Sequence, residues 1–273
     1  MENRKKIKIG IIGSGAIAES VGRFLKAEKI STFNLIGING IEREQTNAVA
    51  DSLKVPVFDF LDLINKSELI LEATTAFAMP EIVKCAVSAG KSIITMSVGG
   101  FALSPDLLDF VEKNSGNIFV PSGGVAGLDG LLALREIGLD RVELTTRKSP
   151  NSLRGAPFLS SNHFSVNIED IVDPTTIFEG SAREAIAAFP SNANLAITLS
   201  LAGLGFDRTR VNIIADPNTK RTIQHVDASA GGCSLKTTIE GVPMAENPRT
   251  SFVALQSVKA LLRKISSKIS IGT

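Results

Sequence analysis

Residues 9–18 read IGIIGSGAIA, and the fold is decided by how this stretch is read. A β-branched run, Ile9 to Ile12 interrupted by Gly10, feeds Gly13, Ser14 and Gly15, and small residues follow. The segment from Gly13 to Ala18 fits G-x-G-x-x-G/A in the context that pattern needs, after a strand and at the opening of a helix. Each small residue has a physical task. Gly13 permits a tight turn, Gly15 has no side chain and lets a pyrophosphate approach the backbone, and Ala18 lets the helix pack close to the strand. The helix start, with Ala16 and Ile17 in its first turn, offers free N–H groups and partial positive charge to phosphates. A dinucleotide site is therefore predicted here.

Outward from this turn the chain alternates. IKIGII (7–12), NLIGIN (34–39), VPVFD (55–59), LILEAT (69–74), KSIITMS (91–97) and NIFVPS (117–122) read as six short strands. Helical spacing separates most of them, as in Ile17, Val21, Phe24 and Leu25. Short apolar strands joined by helices argue for a parallel sheet covered on both faces, a doubly wound α/β domain.

After residue 122 the pattern changes. RVELTTRKS (141–149) alternates, with Val142, Leu144 and Thr146 on one side and Glu143, Thr145 and Arg147 on the other. Ser181 stands three residues before Glu184, the spacing of a capping box. RVNIIAD (210–216), RTIQHVDAS (221–229) and CSLKTTIEGV (233–242) read as consecutive antiparallel strands. The second domain is thus expected to be smaller and α+β, with an antiparallel sheet. The expected boundaries are 1–122 for the dinucleotide-binding domain and 123–249 for a substrate and dimerisation domain, with a helix inside 250–273 packing back on the first.

Composition narrows the function. The chain has 273 residues, 44% hydrophobic, with a net charge of +1, so it can fill two cores and offers no charged block to nucleic acid. No apolar run reaches the roughly 18 residues that a membrane span needs. Two distant cysteines, Cys85 and Cys233, have no metal or redox spacing and read as reduced thiols in or near the core. No cluster of His, Cys, Asp or Glu suggests a metal. A cytoplasmic protein is the expectation. Trp and Tyr are absent, so an adenine ring must stack on Phe, Arg or aliphatic groups.

The second strand of such a domain commonly ends in an acid that binds the adenosine ribose. Here it ends in Asn39, followed by Gly40 and, soon after, Arg43. Asparagine can donate to a ribose hydroxyl without repelling a 2′-phosphate. Arg43 either pairs with that phosphate or is a solvated helix residue. NADP is therefore expected to be accepted at least as well as NAD.

The second half resembles a known family. EGSAREAIAAFPSNANLAITLSLAG (179–203), IIADPNTKRTIQHV (213–226) and ENPRTSFVALQSV (246–258) are similar to the L-aspartate dehydrogenase family, as are PSGGVAGLDGL (121–131), TTRK (145–148) and ISIGT (269–273). The resemblance implies interconversion of L-aspartate with iminoaspartate or oxaloacetate plus ammonia, using NAD or NADP, and a possible place in making the nicotinamide ring. It puts the family's catalytic histidine on His225 and its nicotinamide-side contacts on Gly124 and Asn194. The sequence departs from the family in two places. Gly124 stands where alanine is usual, and Ile223 stands two residues before the histidine where asparagine is usual; one extra residue in the strand would explain the latter.

The chemistry fits these residues. Oxidising an amino acid removes a hydride from Cα and a proton from the ammonium group, and histidine suits the proton step. His163 lies in a polar loop, so His225 is the expected acid–base group. A substrate with two carboxylates calls for cations or helix N-termini, and Asn192, Arg147, Lys148, Lys220 and Arg221 are the candidates. Small-molecule partners are expected, with a homodimer as the assembly. The alternatives are an oxidoreductase like homoserine dehydrogenase or an imine reductase acting on another substrate, and an NADP-bound sensor without turnover.

Overall fold

The computed structural model describes residues 6–27, 32–160, 167–190, 193–242 and 251–272. The chain divides into two units, Met1–Pro121 with Val258–Ser270, and Ser122–Ser257 with Ile271–Thr273.

In the first unit the order is β1 (Ile7–Ile12), α1 (Ala16–Ala27), β2 (Phe33–Asn39), α2 (Arg43–Leu53), α3 (Phe60–Lys66), β3 (Leu69–Glu72), α4 (Met79–Ser88), β4 (Ser92–Thr95), α5 (Gly100–Leu103), α6 (Leu107–Glu112) and β5 (Ile118–Phe119). The sheet order is β2-β1-β3-β4-β5 and every pair is parallel. This is the doubly wound architecture implied by the alternation. Its strands are apolar because helices cover both faces, and Ile9, Ile11, Ile70, Leu71, Ile93 and Ile94 have no exposed surface. Five strands form rather than six. VPVFD makes only a bridge between Ile38 and Val57, because Pro56 has no N–H to continue a ladder. Residues 258–270 belong to this unit through the last helix: Val258 and Leu262 are fully buried, and Lys259 and Arg263 lie over the Phe24 ring.

The second unit runs α7 (Leu128–Ile137), β6 (Leu139–Lys148), β7 (Thr175–Ser181), α8 (Ala182–Ala188), α9 (Asn194–Ala202), β8 (Arg210–Ala215), β9 (Thr222–Ala230), β10 (Cys233–Gly241) and α10 (Phe252–Ser266), the last of which continues into the first unit. The sheet order is β10-β9-β6-β8-β7. The expected antiparallel sheet is mixed. β6 and β8 pair in parallel, and β8 does not neighbour β9, because β6 lies between them. The connection from Asp216 to Arg221 is too long for a tight hairpin and spans the intervening strand. Gly231 and Gly232, both at positive φ, turn β9 into β10 as a two-residue hairpin that only residues without a Cβ adopt readily. Cys233, expected near the core, is exposed beside that turn.

α8 carries the capping box expected from its sequence: the Ser181 hydroxyl accepts from the Glu184 N–H, and the Glu184 carboxylate accepts from the Ser181 N–H at 2.7 Å. Ser181→Ala removes the acceptor of the Glu184 N–H and should lower unfolding free energy by about 1 kcal/mol in urea titration. An unchanged midpoint would show that α8 is held by packing alone.

Candidate active site

The glycine turn is built as a phosphate site requires. Gly13 takes φ +122° against β3, and a Cβ there would collide with the carbonyl oxygen of Ala73. At Gly15 a Cβ would meet nothing within 4 Å, so the backbone faces open space. The N–H groups that open α1 have no acceptor within the helix. Ala18 is fully buried, Ala16 and Ile17 are half-buried. The Gly13 N–H donates to the Asn39 carbonyl at 2.8 Å, so the turn and the end of β2 hold each other. Asn39 donates Nδ2 to the Phe58 carbonyl at 2.9 Å, which fixes its side chain beside the turn. Arg43 opens α2 and is exposed. The turn, Asn39 and Arg43 therefore fit a dinucleotide.

One residue the sequence reading passed over organises this edge of the sheet. Glu72, the last residue of β3, is fully buried. Its Oε1 accepts from the N–H and hydroxyl of Thr74, both at 2.7 Å. Its Oε2 accepts from the Thr95 hydroxyl at 2.7 Å and from the N–H groups of Met96 and Ser97 at 3.2 and 3.1 Å. Five donors converge on two oxygens, and the carboxylate ties the loops after β3 and β4 together at the edge where dinucleotides bind. A lone acid ending an apolar strand was the available signal. Glu72→Gln sets an NH₂ group against donors, and it should cost about 1–3 kcal/mol of stability and weaken NADH binding. Denaturation and fluorescence titration read the two effects, and wild-type values for both contradict this role.

In the second unit the alternation of β6 and β9 sorts the candidates between two faces. The face under α7 carries Val142, Leu144, Val226 and Ala228, all buried. On the same face at one end lie Thr146, Lys148, Thr222 and Gln224, each 3–5% exposed. His225 takes the other face, half-buried among polar strands, with Nδ1 2.8 Å from the Thr238 hydroxyl. β9 pairs regularly with β6 and β10 through this region, so no extra residue turns His225 toward the covered face. Arg147 shares the His225 face and pairs with Asp216 at 3.2 Å. Lys220 is exposed, and Arg221 is bonded to Glu240 at 3.0 Å. Asn192 and His163 lie outside the described residues.

Gly124 and the start of α9 come together. A Cβ on Gly124 would lie 3.4 Å from Leu195, the neighbour of Asn194, so alanine fits there with a slight adjustment. The loop is anchored twice: Thr237 donates to the Ala126 carbonyl at 2.8 Å, and the Gly123 N–H donates to the Ser257 hydroxyl at 3.1 Å. It crosses the covered face of β10, because Thr237 and Val226 are register partners and Val226 is buried there.

Burial pushes the Lys148 ammonium down to about 8 from 10.5. The folded protein therefore carries an ammonium cost below pH 8 that fades as pH rises toward 10.5, because the unfolded chain then holds the proton more tightly. Lys148→Met should raise stability by about 1–3 kcal/mol at pH 7, with the gain shrinking by pH 10. A gain that is constant across this range would show that the charge is not responsible. Among the described residues no group of three or more His, Cys, Asp or Glu side chains could hold a metal, and no helix is long and apolar enough to cross a membrane.

A dinucleotide turn on a parallel sheet, joined to an α+β unit with a polar cluster under its helices, defines a two-domain nicotinamide-dependent oxidoreductase; its cofactor is NAD or NADP. Residues 13–121 match the NAD binding domain of homoserine dehydrogenase, and residues 129–265 match the C-terminal domain of aspartate dehydrogenase. The chain is 36% identical over 273 residues to L-aspartate dehydrogenase of Methanosarcina mazei, covering 98% of this chain and all of the relative. It is 33% identical over 275 residues to L-aspartate dehydrogenase 3 of Bordetella bronchiseptica, covering both chains fully. The crystal structure of aspartate dehydrogenase from Thermotoga maritima has the same fold, with a TM-score of 0.74 at 24% identity over 98% of this chain and all of that one. This chain belongs to the aspartate dehydrogenase family.

Proposed function

We propose that the protein is an NAD(P)-dependent L-aspartate dehydrogenase, taking L-aspartate to iminoaspartate, and on to oxaloacetate and ammonia, and running the reductive amination in reverse. The observation that carries this reading is likeness along the whole chain, substrate unit included, to proteins named L-aspartate dehydrogenase. The bound nicotinamide would supply the hydride acceptor. Gly13, Gly15, Ala16 and Ile17 would hold the pyrophosphate, Asn39 and Arg43 the adenosine end, and Gly124 and Asn194 the nicotinamide side.

His225 is the acid–base group of this reading, on the polar face of the second sheet with Nδ1 2.8 Å from the Thr238 hydroxyl, and Lys148 and Arg147 remain candidates for the substrate carboxylates. The family resemblance supports His225 in that role. A homodimer, domain boundaries near 122 and 250, and a cytoplasmic place complete the reading.

Mixing the protein with NADH or NADPH, ammonia and a panel of 2-oxo acids tests the activity. Oxidation that needs both oxaloacetate and ammonia is the expected result. Preference for another oxo acid would move the assignment to the homoserine-dehydrogenase-like or imine-reductase-like alternative, and no oxidation with any acid would favour a sensor. The Asn39 and Arg43 arrangement sets a second expectation: NADPH binds no more than about tenfold more weakly than NADH, a limit of about 1.4 kcal/mol. A larger deficit excludes a 2′-phosphate site at Arg43.

A further inference from the structure

His225 stands on the middle strand of three. β9 pairs with the edge strand β10 on one side and with β6 on the other, and His225 is in register with Thr238 of β10 and Thr145 of β6. Directly opposed residues on one face of a sheet bring their side chains within reach of each other. The bond that forms runs toward the edge strand: His225 Nδ1 lies 2.8 Å from the Thr238 hydroxyl. Nδ1 is the ring nitrogen nearer the backbone, so this bond fixes the rotation of the ring. Among the described residues the outer nitrogen, Nε2, makes no hydrogen bond. It is the ring atom still open to a substrate.

An acid–base imidazole is often held by a carboxylate. The acids of these three strands are engaged elsewhere. Glu143 accepts from Asn212 at 2.7 Å and from Arg141 at 3.2 Å. Asp227 holds Arg141 and Lys236, and Glu240 holds Arg221 at 3.0 Å. Asp140, at the start of β6, accepts from the Gly231 N–H at 3.2 Å. The group that orients the ring is therefore the Thr238 hydroxyl. A hydroxyl either donates to Nδ1 or accepts from it, and the two arrangements differ in consequence. If it donates, Nε2 carries the proton of the neutral ring and no base faces the substrate. If it accepts, Nδ1 carries the proton and Nε2 keeps its lone pair. The same bond then persists when the ring becomes an imidazolium. Thr238 is exposed, so its own proton can go to water.

We propose that Thr238 is a positioning residue for His225: its hydroxyl accepts from Nδ1–H, holds the imidazole in that tautomer, and leaves Nε2 as the nitrogen that takes the substrate's proton. The proposal rests on the aspartate dehydrogenase reading with His225 as its acid–base group. In the oxidative direction one N–H bond of the substrate ammonium group breaks and an Nε2–H bond forms. The substrate nitrogen's lone pair then closes the C=N bond as the Cα hydrogen leaves with its electron pair for the oxidised nicotinamide. Substrate loses a proton and a hydride, His225 gains the proton, and the bond to Thr238 is unchanged throughout. Thr238 touches neither substrate nor cofactor in this account and acts only through the ring.

The test compares Thr238→Val, Thr238→Ser and Thr145→Val in the full chain with L-aspartate and NAD(P)+. Valine keeps the branched shape that a strand accepts and removes only the hydroxyl, so the fold should survive. Thr238→Val should lose about 10–100-fold in kcat, with KM for aspartate and for the cofactor within about threefold of wild type. Thr238→Ser restores the hydroxyl and should stay within about threefold, as should Thr145→Val on the opposite side of the ring. A second readout needs no turnover. The chain has 2 histidines, so His163→Gln leaves a single imidazole. In protein labelled with [15N]histidine, long-range 1H–15N correlations at alkaline pH should show the Nδ1–H tautomer with threonine or serine at position 238. With valine there the ring should revert to the Nε2–H form that an unrestrained imidazole favours. The proposal is overturned if the Nε2–H form dominates in the wild type, if Thr238→Val keeps wild-type kcat, or if Thr238→Ser loses as much as Thr238→Val. Absence of aspartate turnover in the wild type counts against the substrate reading, and the tautomer still decides whether Thr238 orients His225.

Discussion

Successive side chains on a strand point to opposite faces, and in the second sheet that rule separates two neighbours with different chemistry. Gln224 goes under the helices and His225 goes to the polar face. The regular pairing of β9 leaves no bulge to exchange them. From this constraint follow the position of Lys148 on the same face as Gln224, the engagement of Arg147 with Asp216 on the other, and the division of candidate groups between the two faces. A shift of one residue would reverse every one of these assignments.

The two units handle buried polar groups in opposite ways. In the first, the Glu72 carboxylate is surrounded by five donors and serves as a fixed tie between two loops. In the second, Gln224 keeps a donor in reserve. A fully satisfied group rigidifies its surroundings, whereas a partly satisfied one is the place where a ligand gains most by arriving.

Much of this was legible in the residues. The glycine turn, the parallel sheet and the Ser181 capping box follow from local pattern, because each depends on neighbours in sequence. The mixed sheet was not legible: whether β8 lies beside β9 or beside β6 depends on strands far apart in the chain, and the six-residue connection from Asp216 to Arg221 permits either. VPVFD was read as a strand from its branched residues, and Pro56 reduced it to a bridge. Glu72 and Gln224 carried weak signals, one acid closing an apolar run and one amide in phase with Thr222 and Val226. Cys233 is expected in or near the core from the sequence alone, and the hairpin geometry exposes it.

The last helix contributes Val258 and Leu262 to the first unit's interior, although all of the second unit precedes them in the chain. During synthesis the nucleotide-binding half therefore leaves the ribosome lacking part of its own core. Its apolar surface around Phe24 must wait until translation has passed through the substrate half, so the first unit cannot finish folding before the second has been made. The order of synthesis thus ties closure of the first unit's core to translation of the last helix.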